Sequence, residues 1–308
     1  EFHRPATFRG MDQKWIAIQR NPRAGSGRRR ARLREFIREL KKHGLTPRLF
    51  SDRGRLDERL QQPEFRDNLV CLVAAGGDGT ISDLVNRHPG LPLAVLPLGT
   101  ENLLARHLKI PCSGQAVAEM IAAGNTRHLD LGCLGEKRFV QMVSVGFDAD
   151  VIHRLHADRS GTIGKLSYLQ PIWRSLRRYQ YPELRLTVDD GPQPLTGRLL
   201  VISNLPEYAF HLPVVRSACG DDGQLDVRLF ERGSAFQMMR YVGNVLLRRH
   251  EKLADVTVAR GSKFRIESDI PAPIQIDGDP AGWTPVDISV LPGALQVFVP
   301  ADGSATHN

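Results

Sequence analysis

The sequence predicts two domains: an N-terminal doubly wound parallel α/β domain and a C-terminal antiparallel β-sandwich. In the first part of the chain, strands alternate with helical segments, which is the pattern of a parallel sheet covered by helices. Three of these strands run into turns rich in glycine. From near Asp130 onward, many short strands are separated by Gly, Pro and Asp, which is typical of an antiparallel sandwich.

Length and composition agree with this division. A chain of 308 residues has room for two domains of ordinary size. With 41% hydrophobic and 25% charged residues it has the composition of a soluble globular protein. No apolar run approaches the roughly 18 residues that span a bilayer. We predict domains at 11–127 and 128–295, with the tail 296–308 able to pack back on the first and 1–10 a leader or cloning remnant.

Charge and cysteine content narrow the class of partner and the compartment. The formal net charge is +8, and this excess favours an anionic partner: a nucleotide, a nucleic acid or an acidic membrane surface. Charge alone does not choose among the three. The four cysteines are scattered without metal-type spacing, which predicts a reduced, cytosolic protein.

The α/β domain begins with a strand, a small-residue turn and a basic helix. Residues 14–20 predict the strand, and the turn runs from Asn21 to Gly27. The arginines at 28–30 then lead into a helix with apolar residues at helical spacing. These arginines either meet an anion or form a solvated first helical turn. A second strand ends at Ser51, followed by a polar helix.

The stretch NLVCLVAAGGDGT, from Asn68 to Thr80, is the most informative part of the chain. A buried strand at 68–75 is followed by a turn in which glycine backbone can approach an anion closely, at Gly76, Gly77 and Gly79. Helical spacing over 81–88 indicates that the turn opens a helix, whose N-terminus favours phosphate. Asp78 would then face a phosphate or its magnesium ion. The alternative is a tight turn between strand and helix that binds nothing.

A third glycine turn, from Pro97 to Asn102, follows the strand LAVLPLG and precedes the helix LLARHL. The carboxyl ends of parallel strands meet at one edge of a sheet, which is where ligands bind in such folds. The convergence of three turns at this edge predicts a site for a nucleotide triphosphate. A helix from Gly114 to Ala123 closes the domain.

Two helical segments interrupt the β-rich part. Residues 160–182 combine arginines with Tyr and Trp, which suits either a membrane interface or an ordinary packed helix. Residues 234–253 are also amphipathic and basic at their end, and we favour packing over a lipid gate for this segment.

The motifs taken in order resemble those of the bacterial soluble lipid kinases related to diacylglycerol and sphingosine kinases, from Trp15 to Pro300. They are NPRAGSGR, AAGGDGTISDLVN, LPLGTENLLAR, HLDLG, FVQMVSVGFDADV, GKLSYL, ACGDDGQLDV, IQIDGDP and TPVDISVLPGALQVFVP. The resemblance implies an N-terminal domain like that of NAD and diacylglycerol kinases. It also implies ATP and Mg²⁺ as cofactors and an active site in the cleft between the two domains.

The resemblance also implies roles for individual residues. The nucleotide site would be lined by Asn21, Ser51, Gly76, Gly77, Asp78, Gly79, Thr80, Gly99, Thr100 and Asn102. The family's catalytic base is a glutamate, and here Asp279 stands in its place, with Asp277 able to serve beside it. The alternative for this tripeptide is a plain Asp-Gly hairpin turn.

A third acidic stretch matches a structural magnesium site in the family. Its ligands would be the Asp222 carboxylate and the carbonyls of Cys219 and Gln224, in addition to Asp78 as the ligand of the catalytic magnesium. An Asx-type turn is the alternative. The family's glycine cluster after Asn204 is replaced here by the bulkier residues 207–211, which leaves the acceptor preference open.

We therefore predict an ATP- and Mg²⁺-dependent kinase that phosphorylates a hydroxyl of a diacylglycerol-like lipid. Alternative acceptors are a sphingoid base, ceramide, phosphatidylglycerol or, for a soluble kinase, NAD. A catalytically weak nucleotide-binding regulator is the alternative outside the enzymes. We expect a cytoplasmic, peripherally membrane-associated protein that meets anionic phospholipid, binds no nucleic acid and can form a homodimer through edge strands.

Overall fold

The computed structural model describes residues 14–20, 27–157, 168–208, 212 and 214–301, including every side chain in these ranges except those of Arg28 and Leu169. The chain divides into two compact units. The first comprises the described residues within 1–84, 90–127 and 296–308, and the second comprises those within 85–89 and 128–295. The last strand of the chain therefore contributes to both units.

The first unit is built on a parallel sheet. Its elements in chain order are β1 Trp15–Arg20, α1 Gly27–Lys42, β2 Thr46–Phe50, α2 Arg53–Leu60, α3 Pro63–Asp67, β3 Leu69–Gly76, α4 Asp78–Arg87, β4 Leu93–Pro97, α5 Leu103–His107 and α6 Gly114–Ala123. The strand order is β2-β1-β3-β4, and Val297 then pairs in parallel with Leu93 of β4. β1, β3 and β4 are almost wholly buried, because helices cover both faces of such a sheet.

Local sequence signals account for several boundaries in this unit. The Ser113 hydroxyl caps α6 by accepting a hydrogen bond from the Ala116 N–H at 3.3 Å, and Gly124 ends the helix with φ +79°. α6 packs against α1, where Gly114 is required because a side chain would meet the Arg32 carbonyl at 2.4 Å. The short helix α3 was not predicted, and α4 begins at Asp78 instead of Ile81.

The second unit is a two-layer antiparallel sandwich. Its elements in chain order are β5 Thr126–Leu134, β6 Lys137–Phe139, β7 Met142–Gly146, α7 Phe147–Ala157, α8 Leu169–Arg178, β8 Leu184–Val188, β9 Leu195–Gly197, β10 Leu199–Ser203, β11 Leu225–Phe230, α9 Ala235–Leu246, a 3₁₀ turn His250–Lys252, β12 Val256–Gly261, β13 Lys263–Ser268, β14 Pro273–Ile276, β15 Asp279–Trp283 and β16 Val286–Phe298. One layer has the order β12-β11-β10-β7-β14-β15, and the other contains β16-β13-β8-β9 with β5 and β6 beside β16.

The core of the sandwich is formed by apolar side chains from both layers. Val145, Ile202 and Leu229 from one layer pack in the same cluster as Leu186 and Phe264 from the other. A second cluster lies beneath α9 and contains Met238, Tyr241 and Val245. The predicted fold class, a parallel α/β domain followed by an antiparallel sandwich, is confirmed.

The predicted helical segments are present with two qualifications. α8 lies in the segment 160–182, but residues 158–167, which include most of the GKLSYL motif, are outside the described ranges. The packing predicted for residues 234–253 holds for only one face of α9, because its opposite face is apolar and exposed. Among the described residues, no helix is both long and apolar enough to cross a bilayer.

Candidate active site

Two glycine turns of the first unit are pressed against each other at the carboxyl edge of the sheet. A Cβ on Gly99 would lie 2.4 Å from the Gly77 Cα, and one on Gly77 would lie 3.1 Å from the Gly99 Cα. The Leu98 N–H also donates to the Gly76 carbonyl at 2.9 Å. The turns after β3 and β4 therefore come together because neither of the facing residues has a side chain.

The side of Gly79 is open. Gly79 lies in the first turn of α4, and a Cβ at this position would meet nothing within 4 Å. By contrast, a Cβ on Gly76 would collide with the Thr80 hydroxyl, and Thr80 itself is buried. The open N-terminus of a helix is a favourable place for phosphate oxygens, because the positive end of the helix dipole attracts anions. The residues at this turn thus fit the triphosphate that the sequence predicts.

Asn102 holds the turn after β4 in shape. Its φ of 51° lies in the left-handed region, which Asn tolerates better than most residues. Its side-chain oxygen accepts a hydrogen bond from the Gly99 N–H at 2.8 Å, and its amide donates to the Gly99 carbonyl at 3.2 Å. Two arginines of α1 also donate to this turn, Arg29 to the Gly99 carbonyl and Arg32 to the Pro97 carbonyl.

Arg32 was missed by the sequence analysis. Its spacing of three residues from Arg29 places both side chains on one face of α1, which is the signal that could have indicated a shared role.

Asp78 begins α4 and turns its carboxylate toward the start of α5. The Leu104 N–H donates to its Oδ1 at 3.3 Å. Burial raises the pKa of Asp78, while hydrogen bonds from backbone N–H groups, including those of Leu103 and Leu104, act in the opposite direction. A carboxylate oxygen is the donor that Mg²⁺ prefers, and Mg²⁺ usually completes its shell with waters and substrate phosphates. Asp78 therefore fits the ligand role predicted for it.

The remaining predicted nucleotide residues that the structure describes lie in the same unit. Ser51 follows β2 and Thr100 lies in the turn after β4, and both are exposed. Because β2, β3 and β4 are parallel, these hydroxyls and the two glycine turns follow strand ends at one edge of the sheet. Asn21 falls outside the described residues, so its predicted role stays a prediction.

In the second unit, Asp277 and Gly278 form the two-residue turn of a hairpin between β14 and β15. Their φ angles are 49° and 87°, as this hairpin turn requires, and Ile276 pairs with Asp279 across it. The Asp277 carboxylate accepts backbone hydrogen bonds at 2.8–3.0 Å from the N–H groups of Val140, Gln141 and Met142. Asp277 therefore anchors the hairpin to the segment that leads into β7.

Asp279 differs from its neighbour because its carboxylate faces solvent. Its side chain is 53% exposed, and its Oδ1 lies 3.7 Å from the Nε2 of His156 at the end of α7. An exposed carboxylate on a fixed hairpin is accessible to a substrate hydroxyl, as the predicted base must be. The sequence analysis did not single out His156.

A buried polar cluster lies behind this hairpin and was also missed. The Asp148 Oδ2 accepts hydrogen bonds from the hydroxyls of Ser144 at 2.6 Å and Tyr208 at 3.2 Å, and from the Gln275 amide at 3.3 Å. Burial raises the pKa values of both Asp148 and Tyr208. Tyr208 belongs to the segment 207–211 that departs from the family pattern, of which residues 209–211 are outside the described ranges.

The third acidic stretch, residues 221–223, forms hydrogen bonds and an ion pair with other groups of the protein. Asp130, from the HLDLG motif, is buried and accepts hydrogen bonds from the N–H groups of Gly223 at 2.6 Å and Gly293 at 2.7 Å. Asp222 accepts a hydrogen bond from the Gln224 N–H at 3.1 Å and forms an ion pair with Arg260.

This arrangement does not favour a cation at Asp222. A metal ion there would share the carboxylate with the Arg260 guanidinium group. Within the described ranges, no group of three or more His, Cys, Asp and Glu side chains could hold a metal ion. The structural magnesium, with its predicted ligands at Cys219, Asp222 and Gln224, stays a prediction, and we derive no step from it.

Comparison with known protein families agrees with this geometry. Residues 16–134 match the diacylglycerol kinase catalytic domain, and residues 141–299 match the YegS C-terminal NAD kinase beta sandwich-like domain. The chain belongs to the YegS-like family, and its N-terminal part is similar to the diacylglycerol kinase catalytic domain. The first match covers the glycine turns with Asp78, and the second covers the hairpin with Asp277 and Asp279.

Individual relatives of this YegS-like chain are distant. A diacylglycerol kinase from Mycobacterium tuberculosis is 28% identical over 243 residues, which are 76% of this chain and 78% of that one. An uncharacterized protein from Synechocystis is 25% identical over 76% of this chain, but the match spans only 55% of its own length. A crystal structure of a diacylglycerol kinase from Bacillus anthracis superposes with a TM-score of 0.70 at 22% identity, covering 94% of this chain and 98% of that one. That superposition supports the fold.

Proposed function

We propose that the protein is an ATP- and Mg²⁺-dependent kinase that phosphorylates a hydroxyl group of a diacylglycerol-like lipid. The observation that carries the proposal is the pair of abutting glycine turns, with the open N-terminus of α4 and the Asp78 carboxylate at the same edge of the parallel sheet. Relatives named diacylglycerol kinase support the choice of acceptor.

The first unit would bind and orient the triphosphate. Backbone N–H groups at Gly77 and at the start of α4 would donate to phosphate oxygens, and the open side of Gly79 leaves room for them. Asp78 would hold the magnesium ion, which when bound neutralises charge on the phosphate oxygens. The Ser51 and Thr100 hydroxyls would contact the nucleotide, and Asn102 keeps the third turn in the shape this requires.

The second unit would supply the base. The oxygen of the lipid hydroxyl attacks the γ-phosphorus, the bond from that phosphorus to the bridging oxygen of ADP breaks, and the hydroxyl proton passes to the Asp279 carboxylate. Asp277 fixes the hairpin through its three backbone hydrogen bonds and so acts as a positioning residue. A protein of this kind would meet its lipid at a cytoplasmic membrane surface rich in anionic phospholipid, and would not need nucleic acid.

The test is a transfer assay with radiolabelled ATP, magnesium and detergent-dispersed acceptors. The panel contains diacylglycerol, monoacylglycerol, phosphatidylglycerol, sphingosine, ceramide, undecaprenol and NAD. A labelled product that extracts into organic solvent is expected from diacylglycerol. Label only in a phosphatidylglycerol or sphingoid product would show that the acceptor is that lipid and not diacylglycerol. Label only in NADP would show that the protein is a kinase for a soluble acceptor. ATP binding without any labelled product would favour a regulator.

Asp78→Asn tests the nucleotide half of the scheme, with Asp83→Asn on the same helix as its control. Asp83 lies on the same helix, pairs with Arg53 at 3.3 Å and has no proposed part in the reaction. We expect Asp78→Asn to lower the transfer rate by at least about a hundredfold, because it removes the metal-binding carboxylate. Equal rates for the two variants would contradict the assignment of Asp78.

A further inference from the structure

Helix α9 has three distinct faces, which its sequence positions define. At 3.6 residues per turn each residue advances by about 100° around the axis. Met238, Tyr241 and Val245 fall on one side and are buried in the apolar cluster beneath the helix. A polar side of similar width carries Gln237, Arg240 and Asn244. The remaining arc, about 140° wide by the same geometry, is apolar.

That apolar arc is exposed. It consists of Phe236, Met239, Val242, Leu246 and Leu247, which are between 51% and 68% exposed. Large apolar side chains scattered singly over a surface are ordinary, but five of them on one helical face form a contiguous patch. We call these five residues the α9 face. At 12 residues the helix is far too short to span a bilayer, so the α9 face suits contact with a surface.

The helix is firmly attached through its other faces. Both Nη atoms of Arg240 donate to the Asp255 carboxylate at 2.7 and 3.0 Å, and the Tyr241 hydroxyl donates to it at 3.0 Å. The Ser234 hydroxyl caps the first turn. The α9 face is therefore held outward by a fixed scaffold, which means that its exposure is built into the fold.

Charge selects the partner. Arg248, Arg249 and Lys252 follow the α9 face directly and are exposed. The neighbouring helix α8 presents Trp173, 57% exposed, with the Arg177 guanidinium 4.5 Å from the centre of its ring. Apolar side chains bordered by cations match the acyl and headgroup layers of an anionic membrane surface.

We infer that the α9 face is a membrane-docking surface, inserted among the lipids of an anionic bilayer while Arg248 and Arg249 contact the headgroups. That the kinase finds its lipid acceptor in this bilayer rests on the proposed function. Docking itself needs neither ATP nor catalysis, so it can be measured separately.

The test is cosedimentation of the full chain, without ATP, with vesicles of phosphatidylcholine alone or mixed with phosphatidylglycerol. The variant is Met239→Gln with Leu246→Gln, and the matched control is Val258→Gln with Ile270→Gln, two other exposed apolar residues of the same unit. We expect the first pair to weaken binding to the mixed vesicles by at least about tenfold and the control pair to leave it unchanged. Unaltered binding by the first pair, in a protein with the parent's thermal unfolding, would overturn the inference.

A second variant examines the headgroup contact. Arg248→Gln with Arg249→Gln should weaken binding to the mixed vesicles by about fivefold per arginine and have little effect on phosphatidylcholine vesicles. An equal loss on both vesicle types would contradict the role given to these arginines. If Met239→Gln with Leu246→Gln proves unstable, Phe236→Ser provides the same test at one position.

Two further measurements distinguish membrane docking from self-association and from a loss of catalysis. Light scattering after size exclusion shows whether the α9 variants convert a dimer into a monomer. Such a conversion without a change in vesicle binding would make the face a self-association surface. With a short-chain, water-dispersed diacylglycerol, the docking variants should keep the parent's transfer rate and lose it only on vesicles. If the parent labels no lipid yet still docks through α9, the proposed function fails while the docking surface stands.

Discussion

At the scale of single residues, two glycines from the abutting turns differ in the space around them. Gly99 has no room for a side chain, since a Cβ would lie 2.4 Å from the Gly77 Cα and 2.6 Å from the Asn102 Oδ1. Gly79 has nothing within 4 Å of the same position. The first glycine is therefore explained by packing within the protein, whereas the second is left for a ligand to explain.

We expect Gly79→Ala to separate binding from stability. The variant should unfold at or above the parent's temperature, because Ala in a helix is more favourable than Gly by about 0.5–1 kcal/mol. It should bind ATP about tenfold more weakly, since the methyl group would occupy the space proposed for phosphate. Calorimetric titration and thermal unfolding measure the two effects.

Gly99→Ala provides the comparison and should lose about 1–3 kcal/mol of stability from steric overlap alone. If Gly79→Ala binds ATP as tightly as the parent, the phosphate does not lie on that side of α4.

The two aspartates of the hairpin allow a similar separation. Asp277→Asn should lower the free energy of unfolding by about 1–3 kcal/mol, because an amide has one oxygen to accept the three backbone hydrogen bonds. Asp279→Asn should leave stability unchanged, as its side chain is exposed, and should abolish turnover while ATP binding persists. Denaturant unfolding and the transfer assay distinguish these outcomes. Full turnover by Asp279→Asn would move the base to another group.

At the scale of elements, the attachment of α9 depends on a charged contact. Asp255 is 9% exposed, and hydrogen bonding to Arg240 lowers its pKa below the usual value of 3.8. A carboxyl with a lowered pKa in the folded state stabilises the protein above its unfolded pKa, and the stabilisation is lost as the pH falls through the folded pKa.

Asp255→Asn should therefore cost roughly 1–3 kcal/mol at neutral pH, with the difference from the parent shrinking as the pH falls below 3.8. Denaturant unfolding at a series of pH values measures this. Asp269→Asn is the control, since Asp269 forms an exposed pair with Arg185 and should cost less than about 1 kcal/mol. A difference independent of pH would show that the Asp255 charge does not hold the helix.

Elements of the chain differ in how well sequence alone predicts them. The strands of the parallel sheet were predictable because both faces are buried and the residues form continuous apolar runs. The glycine turns were predictable because glycine lets the backbone turn sharply at the end of a strand. The exposure of the α9 face was not predictable, because an amphipathic pattern shows which residues share a side of the helix but not what packs against that side. The Tyr208 partner of Asp148 and the backbone partners of Asp277 could not be predicted either, because they lie 60 or more positions away in the chain.

At the scale of the molecule, the first unit depends on residues near the end of the chain. Val297, Phe298 and Val299 are buried, Val297 pairs with Leu93 of β4, and the Val299 N–H donates to the Asn125 carbonyl at 3.0 Å. Burial of three such side chains contributes roughly 5–9 kcal/mol, which is comparable to the whole stability of an ordinary domain.

We expect a chain that ends at Leu295 to lose the first unit selectively. Amide hydrogen exchange should show β3 and β4 unprotected while β10 and β11 of the second unit keep the parent's protection, because the latter strands use no residue after Leu295. The second unit thus serves as an internal control. Protection of β4 equal to the parent's would show that the last residues are dispensable.

This dependence has a consequence during synthesis on the ribosome. Domains usually fold in the order in which they are made, the N-terminal one first. Here β4 lacks its neighbour until Val297 has been translated and has left the exit tunnel, by which time every strand of the sandwich has been made. A nascent chain therefore cannot complete its first unit early, and premature termination just after Leu295 would release a folded sandwich attached to an unfinished, aggregation-prone sheet.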